Sequence, residues 1–227
     1  MRNQKKQIKI CGLTRPEDIK AVNTWKPDYA GFVFAPGKRQ LSPSAARVLR
    51  DLLLPEIPSV GVFVNSPREE ILSLVKDHTI GLVQLHGDEN EDYIKSLKEQ
   101  LDFPVPIIKA VRVRSKKVID EAGHLPADFL LFDTYSKDSY GGSGRSFDWT
   151  MIPDIEKPWF LAGGLGASNI KEALKTNAFC LDLSSSVETE GLKDPEKIKE
   201  IIQIVRSENQ CQKEDLDSMA DNLSPKR

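Results

Sequence analysis

The thiol of Cys11 is the first side chain of this sequence whose position suggests chemistry. It follows a short apolar run at residues 7–10 that predicts a β-strand, and Gly12 ends that run. Thr14 and Glu17 have the spacing of a capping box, so a helix is predicted to begin just after the cysteine. The positive end of a helix lowers the pKa of a nearby thiol, and Cys11 could therefore act as a thiolate base. The structural alternative is a small buried hydrophobic residue, a common role for cysteine.

A carboxyl group at the end of a second apolar run, Asp133, could supply the complementary acid. It follows the run Phe-Leu-Leu-Phe at residues 129–132. Partial burial at the end of such a strand favours the protonated carboxyl group, which can then donate a proton near neutral pH. Capping a helix or turn is the structural alternative, but no helix is predicted to begin at this residue.

Both residues belong to a regular alternation of strands and helices. Strands are predicted at residues 7–10, 28–34, 59–64, 80–85, 105–111, 128–132, 158–161 and 179–183. Helices are predicted at residues 43–53, 67–76, 88–101, 116–122, 168–175 and 195–205, with one more after Cys11 and a short turn near residues 147–152. Eight such units predict a single (β/α)8 TIM barrel with parallel strands, in which active sites lie at the carboxyl ends of the strands. An open, doubly wound sheet is the alternative fold.

Side chains at other predicted strand ends indicate how an anionic substrate would bind. Lys38 and Arg39 follow the second strand. Arg39 is the better candidate, because its planar guanidinium can bind a carboxylate through two hydrogen bonds, whereas Lys38 is more simply a solvated charge. His86 follows the fourth strand and could be a general base. A polar wall of the site fits His86 better, since a thiol and a carboxyl group are already available for proton transfer.

Two turns rich in glycine and serine predict a phosphate site. Gly163 and Gly164 follow the seventh strand, and Ser184 and Ser185 follow the eighth. Barrels of this kind often bind phosphate after these two strands, through backbone N–H groups. A further glycine-rich stretch at residues 139–146 could be a lid over the site or a plain linker.

The composition argues against several classes of function. The chain has 227 residues, with 32 basic and 34 acidic side chains and a net charge of -2, which is not the basic excess of a nucleic-acid-binding protein. No apolar run approaches the roughly 18 residues of a membrane span, and the first residues lack the apolar core of a signal peptide. The three histidines have no metal-ligand spacing to a cysteine, so no metal site is predicted.

The three cysteines indicate a reduced, cytoplasmic protein, because they are few, odd in number and widely spaced. Cys180 opens the eighth strand while Cys11 ends the first, so these thiols lie near opposite ends of neighbouring strands and are predicted to stay free. Residues 1–206 are assigned to the catalytic barrel. Residues 207–227, which include Cys211, are polar and are predicted to form a disordered tail.

Taken together, these stretches resemble the phosphoribosylanthranilate isomerase family. The stretches that carry the likeness are, in chain order, KICGLT at 9–14, GFVF at 31–34, KRQLSP at 38–43, VGVFVN at 60–65, VQLHGDE at 83–89, FDT at 132–134, YGGSG at 140–144 with FDW at 147–149, AGGL at 162–165 and LDLSS at 181–185. One position departs from the family pattern, since Ser186 stands where the family usually has glycine. A serine there would be strained if the backbone φ were positive.

The resemblance implies an Amadori rearrangement of N-(5-phosphoribosyl)anthranilate in tryptophan biosynthesis. It implies Cys11 as general base, Asp133 as general acid, Arg39 at the anthranilate carboxylate, and phosphate contacts after the seventh and eighth strands. The reaction is an internal redox change within one sugar, so no cofactor is implied. The expected partner is a small phosphorylated substrate, with no nucleic acid or membrane, and the expected state is a monomer or homodimer.

Three other functions remain to be weighed. A metal-dependent sugar-phosphate epimerase would need paired histidines and aspartates at the strand ends, and an indole-glycerol-phosphate synthase would need a lysine and glutamate pattern that Lys109 alone does not supply. A phosphate-ligand sensor on an inactive barrel would have no need of Cys11 and Asp133.

Overall fold

Eight parallel strands close into one barrel in the computed structural model, which describes residues 5–134 and 148–223. Each strand pairs with its neighbours in chain order, and the first pairs with the eighth to close the ring. The strands are β1 (Gln7–Cys11), β2 (Tyr29–Val33), β3 (Ser59–Phe63), β4 (Leu82–Leu85), β5 (Ile107–Val113), β6 (Phe129–Thr134), β7 (Trp159–Leu161) and β8 (Cys180–Leu183). The predicted (β/α)8 fold is confirmed.

Helices connect most of the strands. They are α1 (Pro16–Trp25), α2 (Pro43–Leu52), α3 (Arg68–Lys76), α4 (Glu91–Gln100), α5 (Lys116–Gly123), α6 (Ile170–Leu174) and α7 (Pro195–Leu223). Before β7 a 3₁₀ turn at Trp149–Met151 agrees with the predicted short turn. The glycine-rich stretch at residues 139–146, predicted as a lid or linker, lies outside the described residues.

The interior of the barrel changes from apolar to polar along its axis. At the amino-terminal end the rings of Phe129, Phe160 and Phe179 pack together, with centroids 5.5 to 5.9 Å apart. One layer nearer the carboxyl end, Lys9 of β1 lies opposite Asp182 of β8 in the strand register, and their side chains form a buried ion pair. The apolar layer supports the barrel, and the polar layer forms the floor of the carboxyl-terminal face.

The helix after β1 is capped differently from the prediction. α1 does begin at Pro16, but the carboxylate of Asp18, not that of Glu17, accepts hydrogen bonds from the backbone N–H groups of Thr14 and Arg15, at 2.8 and 3.1 Å. Asp18 is buried and Glu17 is exposed. The predicted capping box was therefore placed one residue too early, on the side of the helix that faces solvent.

A hairpin after β8 has no counterpart in the predicted elements. Its strands are β9 (Glu188–Thr189) and β10 (Leu192–Lys193), which pair antiparallel. Two-residue strands are too short to produce a periodic pattern in the sequence. This hairpin brings Glu188 and Lys193 to the carboxyl-terminal face of the barrel, next to Arg39.

The end of the chain also differs from the prediction. α7 is capped by Asp194 as the sequence indicates, but it continues to Leu223 rather than ending near residue 205. No glycine or proline interrupts residues 196–224, and most of the residues there are compatible with a helix. Asn209 forms two hydrogen bonds with the backbone of Lys6, at 2.9 and 3.0 Å. The contact with the barrel therefore extends past the predicted boundary at residue 206.

Cys11 and Cys180 are free thiols, as predicted. The residue opposite Cys180 in the strand register is Gln7, four residues before Cys11. The side chain of Cys211 lies outside the described part of the structure. None of the helices within residues 5–134 and 148–223 combines the length and apolar character that crossing a membrane requires.

Candidate active site

A cavity of about 660 Å³ opens at the carboxyl ends of the strands. All eight side chains and glycines that the sequence predicts for the site line it: Cys11, Arg39, His86, Asp133, Gly163, Gly164, Ser184 and Ser185. They come from the ends of six different strands or from the loops that follow them. The fold therefore brings into one space residues that are up to 174 positions apart in the sequence.

Cys11 is buried at the wall of this cavity, with 8% of its surface exposed. Gly31 of β2 makes room for the thiol, since a Cβ atom at Gly31 would lie 2.8 Å from Sγ. Burial raises the pKa of the Cys11 thiol, although the positive charges of Lys9 and Lys193 oppose this rise. The predicted lowering of this pKa is wrong, because the desolvation of a fully buried thiolate outweighs the nearby positive charges.

Lys9 is a buried cation two residues before Cys11 on β1, and it is not among the predicted site residues. Its Nζ atom lies 3.0 Å from both carboxylate oxygens of Asp182, and its side chain is completely buried. Burial alone would lower the pKa of Lys9, but the carboxylate of Asp182 and the thiol of Cys11 together raise it. Asp182 and Cys11 therefore favour the charged form of Lys9.

Asp133 is held by a histidine that is itself held by an amide. His86 Nε2 lies 3.2 Å from Asp133 Oδ2, and Gln84 Nε2 lies 2.8 Å from His86 Nδ1. An amide nitrogen can only donate, so this arrangement places the imidazole proton on Nε2, directed at the carboxylate. Gln84 Oε1 is buried and has no hydrogen-bond partner among the described residues. His86 thus lines the cavity and contacts the Asp133 carboxylate directly.

Arg39 reaches the cavity in a fixed orientation. Its Nε and Nη2 atoms bind the two carboxylate oxygens of Glu188 at 2.7 and 2.8 Å, and Lys193 bonds to the same carboxylate. Gly12 has a φ of +83°, and a Cβ atom there would lie 2.4 Å from Cδ of Arg39. The glycine next to Cys11 therefore lets the arginine side chain cross the backbone of that loop.

The turns after β7 and β8 form another side of the cavity. Gly163 and Gly164 have φ angles of +85° and +67°, which favour glycine. The side chain of Asn169 braces this turn, since it donates to the Gly164 carbonyl at 2.9 Å and accepts from the Gly166 N–H at 2.9 Å.

Ser186 does not adopt the positive φ that would have strained it. It lies in a short 3₁₀ turn, Ser185–Val187, within the same lining. Gly166 packs closely against Ser186, since a Cβ atom at Gly166 would lie 3.1 Å from the Cβ atom of Ser186. A serine at position 186 is therefore compatible with the conformation of this turn.

Two other basic residues near the strand ends are paired within the scaffold. Lys109 is buried and binds Glu89 at 2.8 Å, and Arg112 binds Asp88 at 2.6 Å. The Glu89 carboxylate also accepts from the backbone N–H groups of Asn65 and Gly87, at 2.7 and 2.9 Å. These bonds fix the loop after β4, which carries His86. No group of three potential metal-ligating side chains occurs within residues 5–134 and 148–223.

This geometry can be compared with known proteins. Residues 8–204 match the family model described as N-(5'-phosphoribosyl)anthranilate isomerase. The chain belongs to this family. The N-(5'-phosphoribosyl)anthranilate isomerase of Endomicrobium trichonymphae is 54% identical over 202 residues, which cover 88% of this chain and 98% of the relative.

Solved structures of the isomerase family are similar in fold. Monomers generated from the dimeric enzyme of Thermotoga maritima share 33% identity and a TM-score of 0.77, over 89% of this chain and 99% of that chain. A family enzyme in complex with reduced 1-(o-carboxyphenylamino)-1-deoxyribulose 5-phosphate shares 32% identity and a TM-score of 0.74, over the same shares of the two chains. Monomeric and dimeric forms thus both occur among these relatives.

Sequence reasoning found the residues of this isomerase-family cavity but missed their partners. Lys9 and Asp182 are 173 positions apart, and Arg39 and Glu188 are 149 apart. A charged residue inside an otherwise apolar strand, such as Lys9, was the available signal, because a lysine is almost never fully buried without a partner.

Proposed function

We propose that this chain converts N-(5'-phosphoribosyl)anthranilate into 1-(2-carboxyphenylamino)-1-deoxyribulose 5-phosphate, an Amadori rearrangement in tryptophan biosynthesis. The observation that carries this proposal is the shared cavity of Cys11 and Asp133, with a guanidinium on one side and glycine-serine turns on another. The family match over residues 8–204 supports the same substrate.

Asp133 is the acid of the first step. Its carboxyl group donates a proton to the ring oxygen of the ribose, the bond between C1 and this oxygen breaks, and the nitrogen lone pair forms an iminium with C1. A group positioned within hydrogen-bonding reach of the leaving oxygen contributes typically 10²–10⁴-fold to such a step.

The His86–Gln84 pair can hold Asp133 in both of its protonation states. As the amide stands, His86 Nε2 donates to an ionised carboxylate. A half-turn of the Gln84 amide would present its Oε1 atom to a proton on His86 Nδ1. The Nε2 atom of His86 would then accept a hydrogen bond from the protonated Asp133 carboxyl group. Gln84 Oε1 has no hydrogen-bond partner among the described residues, which supports this exchange.

Cys11 is the base of the second step. Its thiolate removes the proton from C2, and the electron pair of that bond forms a C1–C2 double bond while the iminium nitrogen becomes neutral. The resulting enolamine then tautomerises to the ketone, with the enol proton leaving the oxygen on C2 and a proton added at C1. C2 is oxidised and C1 is reduced within the same molecule, so the chemistry calls for no external oxidant or cofactor.

Two anionic ends of the substrate fix its orientation between acid and base. Arg39 binds the anthranilate carboxylate through the N–H groups that Glu188 does not occupy, and Glu188 holds the guanidinium in place. The backbone of Gly163, Gly164, Ser184 and Ser185 binds the phosphate. Such anchoring at both ends places the ribose in the geometry that proton transfer needs.

We also propose that the protein works in the cytoplasm on this small phosphorylated substrate, as a monomer or homodimer. The free thiols of Cys11 and Cys180 support a reducing compartment.

The test is the loss of anthranilate fluorescence when purified protein is added to freshly prepared N-(5'-phosphoribosyl)anthranilate. We expect a rapid decay that depends on protein concentration, and the Cys11→Ser variant serves as the matched control. A folded wild-type protein that binds the substrate but leaves its fluorescence at the uncatalysed rate would favour the sensor alternative.

A further inference from the structure

The thiol of Cys11 lies within a cluster of buried and half-buried charges, and the proposed mechanism gives two of them, Lys9 and Asp182, no role. Lys9 is two residues before Cys11 on β1, so both side chains point to the same face of the strand. Asp182 lies opposite Lys9 on β8, and its carboxylate binds the Lys9 ammonium at 3.0 Å. The electrostatic partners of Cys11 itself are Lys9 and Asp182, with Lys193 on β10 and Arg39 in the loop after β2.

The charges of this cluster do not cancel. Three cations, Lys9, Arg39 and Lys193, face two carboxylates, Asp182 and Glu188. Among these five described side chains one positive charge is left over, and it lies beside a group that can become negative on losing a proton, the thiol. A thiolate at Cys11 would make the cluster neutral.

We propose that Lys9 is a positioning residue that stabilises the thiolate of Cys11 as its buried counter-ion, while Asp182 holds the Lys9 ammonium in place. This inference rests on the proposed function only for its consequence in catalysis. The ammonium carries three N–H groups, and the bidentate contact with Asp182 leaves capacity for a hydrogen bond to Sγ. In a fully buried site, a charge without such a partner would be strongly disfavoured.

A Lys9–Asp182 pair that served only to stabilise the barrel would affect the ionisation of Cys11 differently from a counter-ion. A structural ion pair supports the fold equally well whatever the protonation state of Cys11. A counter-ion makes the ionisation of the thiol depend on Lys9 and Asp182 with opposite signs, because the ammonium favours the thiolate and the carboxylate opposes it.

The direct test is a titration of Cys11 in the full-length protein without substrate. Thiolate absorbance near 240 nm and the pH dependence of iodoacetamide alkylation are measured, with the Cys11→Ser variant subtracted to remove the other cysteines. We expect Lys9→Met to raise the apparent pKa of Cys11 by at least about one pH unit, and Asp182→Asn to lower it. The double variant Lys9→Met/Asp182→Asn, which removes both charges and avoids a buried unpaired carboxylate, is expected to fall between wild type and Lys9→Met.

Asp182→Asn and the double variant keep the proposal falsifiable even if Lys9→Met folds poorly, since the first should lower the pKa of Cys11 and the second should raise it. Loosened packing would not produce that pair of signs. An unchanged Cys11 titration in folded Asp182→Asn and in the folded double variant would overturn the proposal.

The kinetic consequence is measured separately. Lys9→Met should lower kcat near neutral pH by about tenfold or more, with a smaller change in KM, and the loss should shrink as the pH is raised. If the wild-type protein does not turn over N-(5'-phosphoribosyl)anthranilate, the proposed function fails, while the titration of Cys11 still decides the role of Lys9.

Discussion

Cys11 and Asp133 depend on their surroundings in different ways. The thiol is buried among ammonium, guanidinium and carboxylate groups, whereas the carboxyl group contacts the His86 imidazole, which the Gln84 amide orients. The proposed base is therefore controlled by charge and the proposed acid by hydrogen-bond geometry. Substitutions at the two residues should abolish the same reaction while leaving the substrate anchors in place.

Replacing either residue by a near-isostere should stop turnover without unfolding the protein. Cys11→Ser supplies a far weaker acid than a thiol, so almost no anionic base forms, and Asp133→Asn has no carboxylic proton to donate. Each should lose at least about 10²-fold in kcat and still bind a reduced product analogue. Cys180→Ala is the matched control, since this cysteine is buried at the other end of the barrel and its loss should not slow the chemistry.

Deuterium at C2 of the ribose should give a primary isotope effect when proton abstraction limits the rate. This effect reports on Cys11, because the thiolate breaks that bond. Full activity in folded Cys11→Ser would exclude the thiolate base, and His86 would be tested next.

Arg39→Ala should act mainly on substrate binding. A charge-assisted contact of this kind is worth about 1.5–3 kcal/mol, so KM should rise by about 10- to 150-fold. Arg47→Ala is the control, because Arg47 pairs with Asp77, away from the residues that line the cavity. Steady-state parameters identical to wild type would remove Arg39 from the site.

Glu188 should make stability depend on pH in the acid range. Burial alone would raise the pKa of this carboxyl group, but hydrogen bonds and charge from Arg39 and Lys193 lower it below its ordinary value. The contribution of Glu188 to stability is therefore complete above the unfolded pKa of about 4.3 and is lost as the pH falls through the lower, folded value. The Tm of Glu188→Gln should fall less than the Tm of wild type when the pH is lowered through this range. An equal loss in both proteins would show that the pairing contributes nothing.

At the level of elements, the extended helix α7 joins the end of the chain to its beginning. Asn209 binds both backbone groups of Lys6, just before β1. Residues of α7 also pack against the barrel, with Ile198, Ile202 and Val205 fully buried. The last helix thus stabilises the strand that carries the thiol.

Truncation should separate the two parts of this helix. Deleting residues 211–227 should leave Tm and turnover unchanged, whereas deleting residues 207–227 should lower Tm by a few degrees, because it also removes the two Asn209 bonds. Turnover should persist in both. Asn209→Ala in the full chain should lower Tm as much as the deletion of residues 207–227 does. A large fall in Tm after deletion of residues 211–227 would show that the final turns of α7 pack on the barrel.

The strands were predictable because a parallel sheet covered on both faces requires continuous apolar runs, which are visible in one sequence. The hairpin β9–β10 was not predictable, since a strand of two residues is too short to show alternating apolar and polar positions. The cavity residues could be located because strand ends converge in a barrel. The pKa of Cys11 could not be inferred, because burial, Lys9, Asp182 and Lys193 all shift it, and only the closed fold buries the thiol and brings Asp182 and Lys193 near it.

At the level of the whole molecule, the reaction should not depend on a metal ion. Catalysis in the proposed scheme uses one thiol, one carboxyl group and two anion-binding regions. We expect EDTA to leave kcat and KM unchanged, with a metal-dependent enzyme treated in parallel as the positive control. Loss of turnover in EDTA that a divalent cation restores would favour the epimerase alternative.

The pairing of β1 with β8 has a consequence for how the protein is made. Chains are synthesised from the amino terminus, so Lys9 and Cys11 emerge long before Asp182, which follows Lys9 by 173 residues. Contacts over such separations form late, because the entropy of closing the intervening chain must be overcome first. A nascent or prematurely ended chain therefore lacks the carboxylate that holds Lys9 beside the thiol. Isomerase activity should therefore appear only when the eighth strand closes the ring.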